Sequence, residues 1–593
     1  MEQIQDSLLS KVLLQGLNRL FNDVSTDHVV DISLVHSVIS QFFNIFGFIS
    51  HRFFKCTTSA VSAFISNRTV QITPSLFDQC NNLVQFFSSK FNLVHFVCEE
   101  NDLNLIDWST NFFSLHNIVS LQIQFPECFD FLHSSPSLYC PNLRLLRVDG
   151  IEDGDLSAGA TAISQALHFN SSIKVLNLSQ NSIQNEGAIA FAQLLKTNST
   201  LLELDLSNNH SIGPPGASAL CESLQFNSTL TKLSLSFNPV EDEGVELLSA
   251  FLMLNSTLKE LYLKNVLLTT SGFQFLSEAL KYSSSLITID LCNNHIGNLG
   301  LPFLADALKA NTSLKSLILQ NNCISNEPCP SFYQSLSNLH HLNLSYNSIG
   351  QLGGECLGEA LMSNSSMTHL YLKNCIIGSG VEAIVKALKV NSSMVELDLS
   401  SNSITSFGGV CLAEALIVNS SIRKIDLVHN EIGDDGARVF ADVIKLNTSF
   451  RTLILNRNKI GTSGGAAIGQ ALKDNSTLHS LSRAFNFLRD KGVMEVGKGL
   501  MGNSALRIID LGNNMFGNEG AMAIVQALEV NCSIRCISLH SNSIKNDGAV
   551  ALADALMRNF TITSLDLESN QIDDDVKREI QSTLRNRVSF HSY

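Results

Sequence analysis

The segment Gly492–Gly499 has the glycine and lysine spacing of a phosphate-binding loop. Its letters, GVMEVGKG, match the pattern G-x-x-x-x-G-K, in which backbone amides and the lysine hold phosphate oxygens. The next residue should be Ser or Thr, which binds the magnesium ion, but Gly499 occupies that position. The segment also falls in a predicted helix rather than after a strand. We therefore expect no nucleotide site here and, without another such loop, no nucleotide-switching domain.

Histidine is a second residue type that could bind a metal ion or transfer protons. The chain has 16 histidines but no H-E-x-x-H motif. Its adjacent pair, His340 and His341, falls on a predicted strand, where neighbouring side chains point to opposite faces. We therefore expect no metal site at this pair. No catalytic set of residues emerges, which predicts a non-enzymatic protein without a cofactor.

Tyrosine, lysine and aspartate side chains recur at the exposed positions of a repeated strand, where they could bind a protein. Tyrosine and basic side chains are typical energetic anchors of protein interfaces. One strand position carries six aspartates, which form an acidic stripe: Asp205, Asp290, Asp398, Asp426, Asp510 and Asp566. The candidate protein-binding residues are Tyr262, Lys264, Tyr346, Tyr371, Lys373, Asp290, Asp398 and Asp426. The alternative is a solvated face that only keeps the protein soluble.

The strand that contains these residues belongs to a unit that recurs every 28 residues. Its strand part reads L-x-x-L-x-L-x-x-N, as in Leu201–Asn209 and Met394–Asn402. The exceptional steps between successive copies are 25, 27 and 29 residues. An internal repeat of this length predicts a solenoid, in which each unit packs on its neighbours and the array presents a long binding surface.

Residues 394–421 show how one unit should fold. Leu397 and Leu399 have the alternating period of a strand and point into the core. Asn402 then turns the chain inward, where its amide can bond the backbone of its own and adjacent units. The apolar residues from 410 to 416 have the period of a helix. Because a helix is about 10 Å wide and parallel strands are about 4.8 Å apart, the stack should curve with its strands inside.

This unit resembles the leucine-rich repeat, in particular the long helical repeats of the ribonuclease-inhibitor-like class. The resemblance covers about residues 150–585. It implies an α/β fold, a right-handed solenoid shaped like a horseshoe, with parallel strands on the concave face and helices on the convex face. Residues 151–593 then form about fifteen regular repeats. Residues 61–150 form divergent repeats, and residues 1–60 form a mainly helical N-terminal cap.

Several residues depart from the repeat. Val266 and Cys375 occupy the position of the strand-ending asparagine, and the repeat family tolerates cysteine there. Arg483 replaces a core leucine in LHSLSRAFN. We expect Arg483 to be exposed by a local distortion or bonded to a partner, and distortion is favoured. Pro328 and Pro330 fall where a helix should begin, which predicts a shorter helix in that repeat.

Several sequence features bear on the compartment. N-x-S/T sequons such as Asn198 and Asn419 recur between helix and strand, and this phase indicates a turn with left-handed asparagine rather than glycosylation. The 14 cysteines form no C-x-x-C pair, and several fall at buried positions, which is typical of a reducing compartment. The first residues lack a charged segment followed by an apolar one, so we expect no signal peptide, and we find no apolar stretch of about 20 residues. We expect a cytoplasmic protein that does not enter membranes.

The formal net charge of −15 disfavours nucleic-acid binding, which requires a basic face. We expect a monomeric scaffold that binds a partner protein on the concave face, where the aspartates would complement a basic surface. Two alternatives remain open. One is a regulator of a small GTPase, by similarity to the Ran GTPase-activating protein of the same repeat class. The other is a substrate receptor of a ubiquitin ligase, because Leu34–Phe54 has an F-box-like layout.

Overall fold

The computed structural model describes residues 29–31, 69–72, 94–98, 118–123, 144–148, 157–168, 170–584 and 587–590. The chain divides into two compact units, Met1–Ile287 and Thr288–Tyr593, which we call the N-terminal unit and the C-terminal unit. In each unit, short parallel strands alternate with helices along the chain. The predicted α/β solenoid of parallel strands and helices is therefore confirmed.

The described strands of the N-terminal unit pair in parallel in the order of the chain, each with the next. They are β1 Val29–Asp31, β2 Thr69–Ile72, β3 Val94–Cys98, β4 Ile118–Ile123, β5 Leu145–Val148, β6 Val175–Asn177, β7 Glu203–Asp205, β8 Lys232–Ser234 and β9 Glu260–Tyr262. The described helices are α1 Ser157–Leu167, α2 Gln184–Leu195, α3 Pro214–Leu224, α4 Glu241–Leu252 and α5 Thr270–Tyr282. Each helix from α1 to α4 returns the chain to the start of an adjacent strand.

The C-terminal unit repeats the same parallel pairing. Its described strands are β10 Thr288–Asp290, β11 Ser316–Ile318, β12 His341–Asn343, β13 His369–Tyr371, β14 Glu396–Asp398, β15 Lys424–Asp426, β16 Thr452–Ile454, β17 Ser480–Ser482, β18 Ile508–Asp510, β19 Cys536–Ser538, β20 Ser564–Asp566 and β21 Val588–Ser589. Its described helices are α6 Gly297–Ala310, α7 Pro330–Gln334, α8 Gly350–Ser363, α9 Val381–Leu388, α10 Ser406–Val418, α11 Gly433–Leu446, α12 Thr462–Leu472, α13 Arg489–Gly502, α14 Asn518–Leu528, α15 Asn546–Arg558 and α16 Asp574–Leu584. Single 3₁₀ turns at Leu336–Asn338 and Gly378–Gly380 extend α7 and precede α9.

The core of each repeat lies between the strand layer and the helix layer. In residues 394–421, Leu397 of strand β14, Leu399 directly after it, and the helix residues Leu412 and Leu416 are all 0% exposed. Complete burial of a leucine side chain stabilises the fold by roughly 1.5–3 kcal/mol. Because every repeat buries the same positions, the stack forms a continuous apolar layer within each unit.

The strand-ending asparagines form the predicted ladder of hydrogen bonds. The Nδ2 of Asn402 donates to the carbonyl oxygen of Leu372 at 2.7 Å, and its Oδ1 accepts from the N–H groups of Cys375 at 3.0 Å and Ile377 at 3.2 Å. One amide therefore joins its own repeat to the preceding one. At the exceptional position the Cys375 thiol donates to the carbonyl oxygen of Leu344 at 3.2 Å, which preserves part of the ladder.

The sequon asparagines have the predicted turn role but not the predicted backbone conformation. The Nδ2 of Asn419 donates to the carbonyl oxygens of Leu388 at 2.8 Å and Asn391 at 2.9 Å, and its Oδ1 accepts from the N–H of Ile422 at 2.9 Å. Asn419 is extended, with φ −73°, so the left-handed expectation is wrong. The left-handed residues instead precede the ladder asparagine, as Ser401 does with φ 55°. The reason is that the Asn419 side chain itself closes the turn.

The expectation that Arg483 is exposed by a distortion is also wrong, because its side chain is 0% exposed. Strand β17 pairs in register on both sides, and the N–H of Arg483 donates to the carbonyl oxygen of Asp510 at 3.0 Å. This pairing keeps position 483 pointing inward, whatever its side chain. The guanidinium Nη1 donates to the carbonyl oxygen of Gly465 at 3.4 Å, and within the described residues Nε and Nη2 have no hydrogen-bond partner.

Two further predictions concern the short repeat and the N-terminus. The shortened helix is confirmed, since α7 begins at Pro330 and has 5 residues. The predicted helical cap and the F-box-like segment Leu34–Phe54 lie outside the described residues, apart from β1. The predicted divergent repeats of residues 61–150 contain β2 to β5. None of the helices in the described part of the chain has both the length and the apolar character needed to cross a bilayer.

Candidate protein-binding face

The strand layer of the C-terminal unit presents two columns of partly exposed side chains. In strands such as β13, β14 and β15 the middle residue is buried and its two neighbours are half-buried. Because strand side chains alternate between faces, the first and third residues share the open face. The strand register places Tyr371 beside Asp398 and Asp398 beside Asp426 in the third-residue column. The structure therefore brings three of the predicted site residues together.

Tyr346 and Lys373 join this group as a cation–π pair. The Nζ of Lys373 lies 5.5 Å from the ring centroid of Tyr346, and the Tyr346 N–H donates to the Lys373 carbonyl oxygen at 2.6 Å. A hydrogen bond with the Tyr346 hydroxyl raises the pKa of Lys373, and the carboxylates of Asp398 and Asp426 act in the same direction. We call Tyr346, Tyr371, Lys373, Asp398 and Asp426 the Tyr346 cluster.

Tyr371 is more enclosed than Tyr346. Its ring centroid lies 5.2 Å from that of His341. Burial raises the pKa of Tyr371 to about 12, with smaller contributions from the neighbouring carboxylates of Glu396 and Asp398. Glu396 also forms an ion pair with Lys424, at 2.7 Å. Tyr371 is therefore positioned by its neighbours, whereas Tyr346 is 43% exposed.

Sequence analysis missed the first-residue column of this face. In register, His341 lies beside His369 with ring centroids 6.3 Å apart, and His369 lies beside Glu396. Burial lowers the pKa of His341, as does His369, while Glu396 opposes them. The signal was present, because residues two apart on a strand share a face. Among the described residues no group of three or more His, Cys, Asp or Glu side chains could hold a metal ion.

The aspartates have a structural role that sequence analysis overlooked. The Oδ1 atoms of Asp290, Asp398 and Asp426 each accept the backbone N–H two residues later, at 2.8–2.9 Å. Asn343 makes the same hydrogen bond at 2.9 Å, so the turn requires an oxygen but not a charge. Burial raises the pKa of Asp426, against the effect of its turn hydrogen bond. The negative charge of this column is therefore not needed for the turn.

The remaining predicted residues, Tyr262 and Lys264, lie in the N-terminal unit. The Tyr262 hydroxyl donates to Glu260 at 2.7 Å, and the Nζ of Lys232 lies 5.5 Å from the Tyr262 ring centroid. The Nζ of Lys264 lies 5.1 Å from the ring centroid of Phe237. Lys264 therefore covers an aromatic ring of the preceding repeat, as Lys373 covers Tyr346. This cross-repeat pairing was not visible in the sequence.

Comparisons with known proteins concern the repeat and the fold. The family described as Leucine Rich repeat matches residues 169–192, 197–221, 226–249, 310–327, 335–358, 390–413, 418–441, 446–469, 502–525, 530–553 and 558–575. A structure of leiomodin-1 actin-binding site 2 matches with 26% identity and TM-score 0.23, covering 25% of this chain and 86% of that one. An internalin from Listeria monocytogenes matches with 16% identity and TM-score 0.35, covering 75% and 96%. No curated protein matches the sequence.

Proposed function

We propose that this chain, which contains leucine-rich repeats, is a non-enzymatic scaffold that binds a partner protein on the open face of its strands. The Tyr346 cluster is the observation that supports this proposal. The repeat fold does not require a tyrosine at position 346, since Asn374 and Ser401 occupy the equivalent position in the next two repeats. The strand-and-helix unit of 28 residues supports assignment to the ribonuclease-inhibitor-like class.

Tyr346 has the properties of an interface anchor. Its ring is exposed, and the backbone ladder and the Lys373 ammonium restrict its motion. A rigid aromatic side chain loses little conformational entropy when it binds. Asp398 and Asp426 add negative potential, which would steer a basic partner surface towards the cluster. Tyr262, Lys264 and Asp290 are proposed as further contacts to the partner, each within its own unit.

The anchor assignment is tested by comparing partner capture by the full-length protein and by a Tyr346→Ala/Tyr371→Ala variant. The matched control is Tyr282→Ala, because Tyr282 is 61% exposed but lies at the end of helix α5. We expect the wild type and the control to capture the same partner protein. The double variant should bind this partner at least about tenfold more weakly. Equal retention by all three proteins would refute the strand-face assignment.

The role of the acidic column is tested by an Asp398→Asn/Asp426→Asn variant. Asn343 shows that an amide oxygen preserves the turn hydrogen bond, so the thermal unfolding midpoint should not change. Loss of two negative charges should slow association with a basic partner and reduce the salt dependence of the association rate. The rate is measured by stopped-flow fluorescence at low and high salt. An unchanged rate at low salt would contradict steering by these carboxylates.

We also propose that the protein acts as a monomer in the cytoplasm. Support for a reducing compartment comes from Cys221 and Cys375, which are buried free thiols. Burial raises the pKa of the Cys221 and Cys375 thiols to about 12, which makes them unreactive at neutral pH. Cell fractionation and sedimentation velocity test both proposals. Recovery of the protein in secretory vesicles, or of a stable dimer, would contradict them.

A further inference from the structure

A second group of exposed side chains lies at the ends of strands β16 to β19 in the C-terminal unit. Its members are Arg457, Phe485, Phe487, Met515 and His540, and we call this group the Phe485 patch. The guanidinium carbon of Arg457 lies 4.4 Å from the Phe485 ring centroid. The ring centroids of Phe485 and His540 are 5.9 Å apart. One aromatic ring therefore organises side chains from three strand ends.

The strand ladder holds the patch in place. The N–H of Arg457 donates to the carbonyl oxygen of Ala484 at 3.0 Å, and the N–H of Phe485 donates to that of Gly512 at 2.8 Å. Gly512 separates the repeats of Phe485 and His540, and a Cβ atom there would lie 2.2 Å from the His540 Nε2. The absence of a side chain at Gly512 thus lets His540 reach towards Phe485.

Three large apolar side chains of the patch are exposed to solvent. Phe485 is 36% exposed, Phe487 45% and Met515 54%. Phe487 and Met515 follow the ladder asparagine in successive repeats, so they occupy equivalent positions. Phe485 and Met515 also have left-handed backbones, with φ 57° and 60°, which bulky residues rarely adopt. Exposed apolar patches with polar rims are typical of interaction sites.

Arg457 indicates the charge of the binding partner. Within the described residues it has no carboxylate partner, whereas the ammonium groups of Lys424 and Lys459 are paired with Glu396 at 2.7 Å and Glu431 at 2.6 Å. Its guanidinium carbon lies 4.4 Å from the ring centroid of Phe485, so its N–H groups lie beside the exposed aromatic ring. A guanidinium in this setting binds a carboxylate through two parallel hydrogen bonds.

We propose that the Phe485 patch binds an acidic and apolar protein segment. A carboxylate of the segment would bind Arg457, and an adjacent leucine or aromatic side chain would cover Phe485, Phe487 and Met515. This preference is opposite in charge to that of the Tyr346 cluster, so the patch is a separate site that does not depend on it. The members of the patch include one arginine and no lysine, whereas nucleic-acid binding requires a broad basic face, so the patch fits a single carboxylate better than a polyanion.

The test selects a displayed library of random dodecamer peptides on the full-length protein. Recovered peptides are then titrated by fluorescence anisotropy against the wild type, Arg457→Gln and Phe485→Ser. We expect peptides with an acidic residue next to leucine or an aromatic residue, and at least about tenfold weaker binding to both variants. Arg457 and Phe485 are exposed, so both variants should fold, which circular dichroism checks.

The Tyr346→Ala/Tyr371→Ala variant is the matched control, and it should bind these peptides as the wild type does. Loss of peptide binding in this control would place the peptides on the Tyr346 cluster and overturn the proposal. Recovery of no peptides, of basic peptides, or of peptides that bind Arg457→Gln unchanged would also overturn it. A labelled single-stranded oligothymidine is titrated in parallel. Binding of this probe that requires Arg457 would assign the patch to nucleic acid instead.

Discussion

Arg483→Leu should stabilise the C-terminal unit. The substitution replaces a buried cation with the leucine found at the same position in most repeats. Arg483 is 0% exposed, and its hydrogen bond to the Gly465 carbonyl oxygen is long, at 3.4 Å. A buried charge without adequate partners is strongly unfavourable, and apolar replacement of buried ionic groups is often stabilising.

The pKa of Arg483 sets the upper limit of the gain. Burial lowers this pKa to about 9, whereas an arginine in water has a pKa above about 12. Each pKa unit corresponds to about 1.4 kcal/mol, so keeping the charged form buried at pH 7 costs up to about 5 kcal/mol. Leucine is smaller than arginine, and the cavity left behind costs roughly 1–2 kcal/mol. The expected net gain in unfolding free energy is about 1–3 kcal/mol.

The gain should depend on pH in a defined direction. Because the folded pKa is depressed, the unfolded chain binds more protons above pH 9, and the wild type gains stability as pH rises through that range. The advantage of Arg483→Leu should therefore be complete below pH 9 and shrink above it. Comparing the two proteins cancels the titration of other groups.

Native-state hydrogen exchange at β17 and β18 is the appropriate assay, since repeat arrays do not always unfold in one step. The control is Arg438→Leu, because Arg438 is exposed on helix α11 and forms an ion pair with Asp435. Its effect should stay within about 0.5 kcal/mol. Faster exchange in Arg483→Leu at pH 7, with no change in the control, would refute the view that the guanidinium is poorly bonded.

Four other substitutions, at three positions, test the ladder, the helix packing and the backbone. Asn402→Ala should lower the unfolding free energy by about 2 kcal/mol, because it removes the ladder hydrogen bonds of one repeat. Asn402→Cys should lower it by less, because the thiol of Cys375 preserves part of the ladder at the equivalent position. Urea melts in which the cysteine variant is the less stable of the two would contradict this prediction. Gly499→Ala should lower the unfolding free energy by more than about 2 kcal/mol in the same assay, because the added Cβ would collide with the carbonyl oxygen of Gly469. An unchanged unfolding free energy would show that helices α12 and α13 move apart easily. Ile376→Asn should raise the unfolding free energy by about 1 kcal/mol, because Ile376 is 59% exposed and has a left-handed backbone, with φ 58°, which asparagine adopts more readily than isoleucine. A thermal midpoint that does not rise would exclude backbone strain at this position.

Most of the regular fold could be predicted from the sequence. Strand β14, Glu396–Asp398, lies inside the segment Met394–Asn402 that the L-x-x-L-x-L-x-x-N pattern marks. Pro328 and Pro330 predicted the shorter helix of that repeat, which is confirmed in α7. These features follow from the alternation of side chains in a strand and from the backbone limits of proline, which are local properties that a single chain displays.

The candidate site could be predicted only in part. Lys373 follows Tyr371 by two residues, yet its ammonium covers the ring of Tyr346. Parallel pairing in register makes neighbours of residues that are a whole repeat apart, so the order of residues in the chain does not reveal this contact. The turn hydrogen bond of Asp398 could not be predicted either. An aspartate at an exposed position of the repeat gives the same sequence signal whether its carboxylate closes a turn or only contacts solvent.

The sequence by itself determined which positions of each repeat enter the core, because side-chain direction follows the strand and helix periods. Only the tertiary structure decided how unusual residues are accommodated. Pairing of β17 on both sides keeps Arg483 inside, and the missing side chain of Gly512 lets His540 approach Phe485. These contacts depend on the spacing between stacked repeats, and that spacing exists only once neighbouring repeats have packed together.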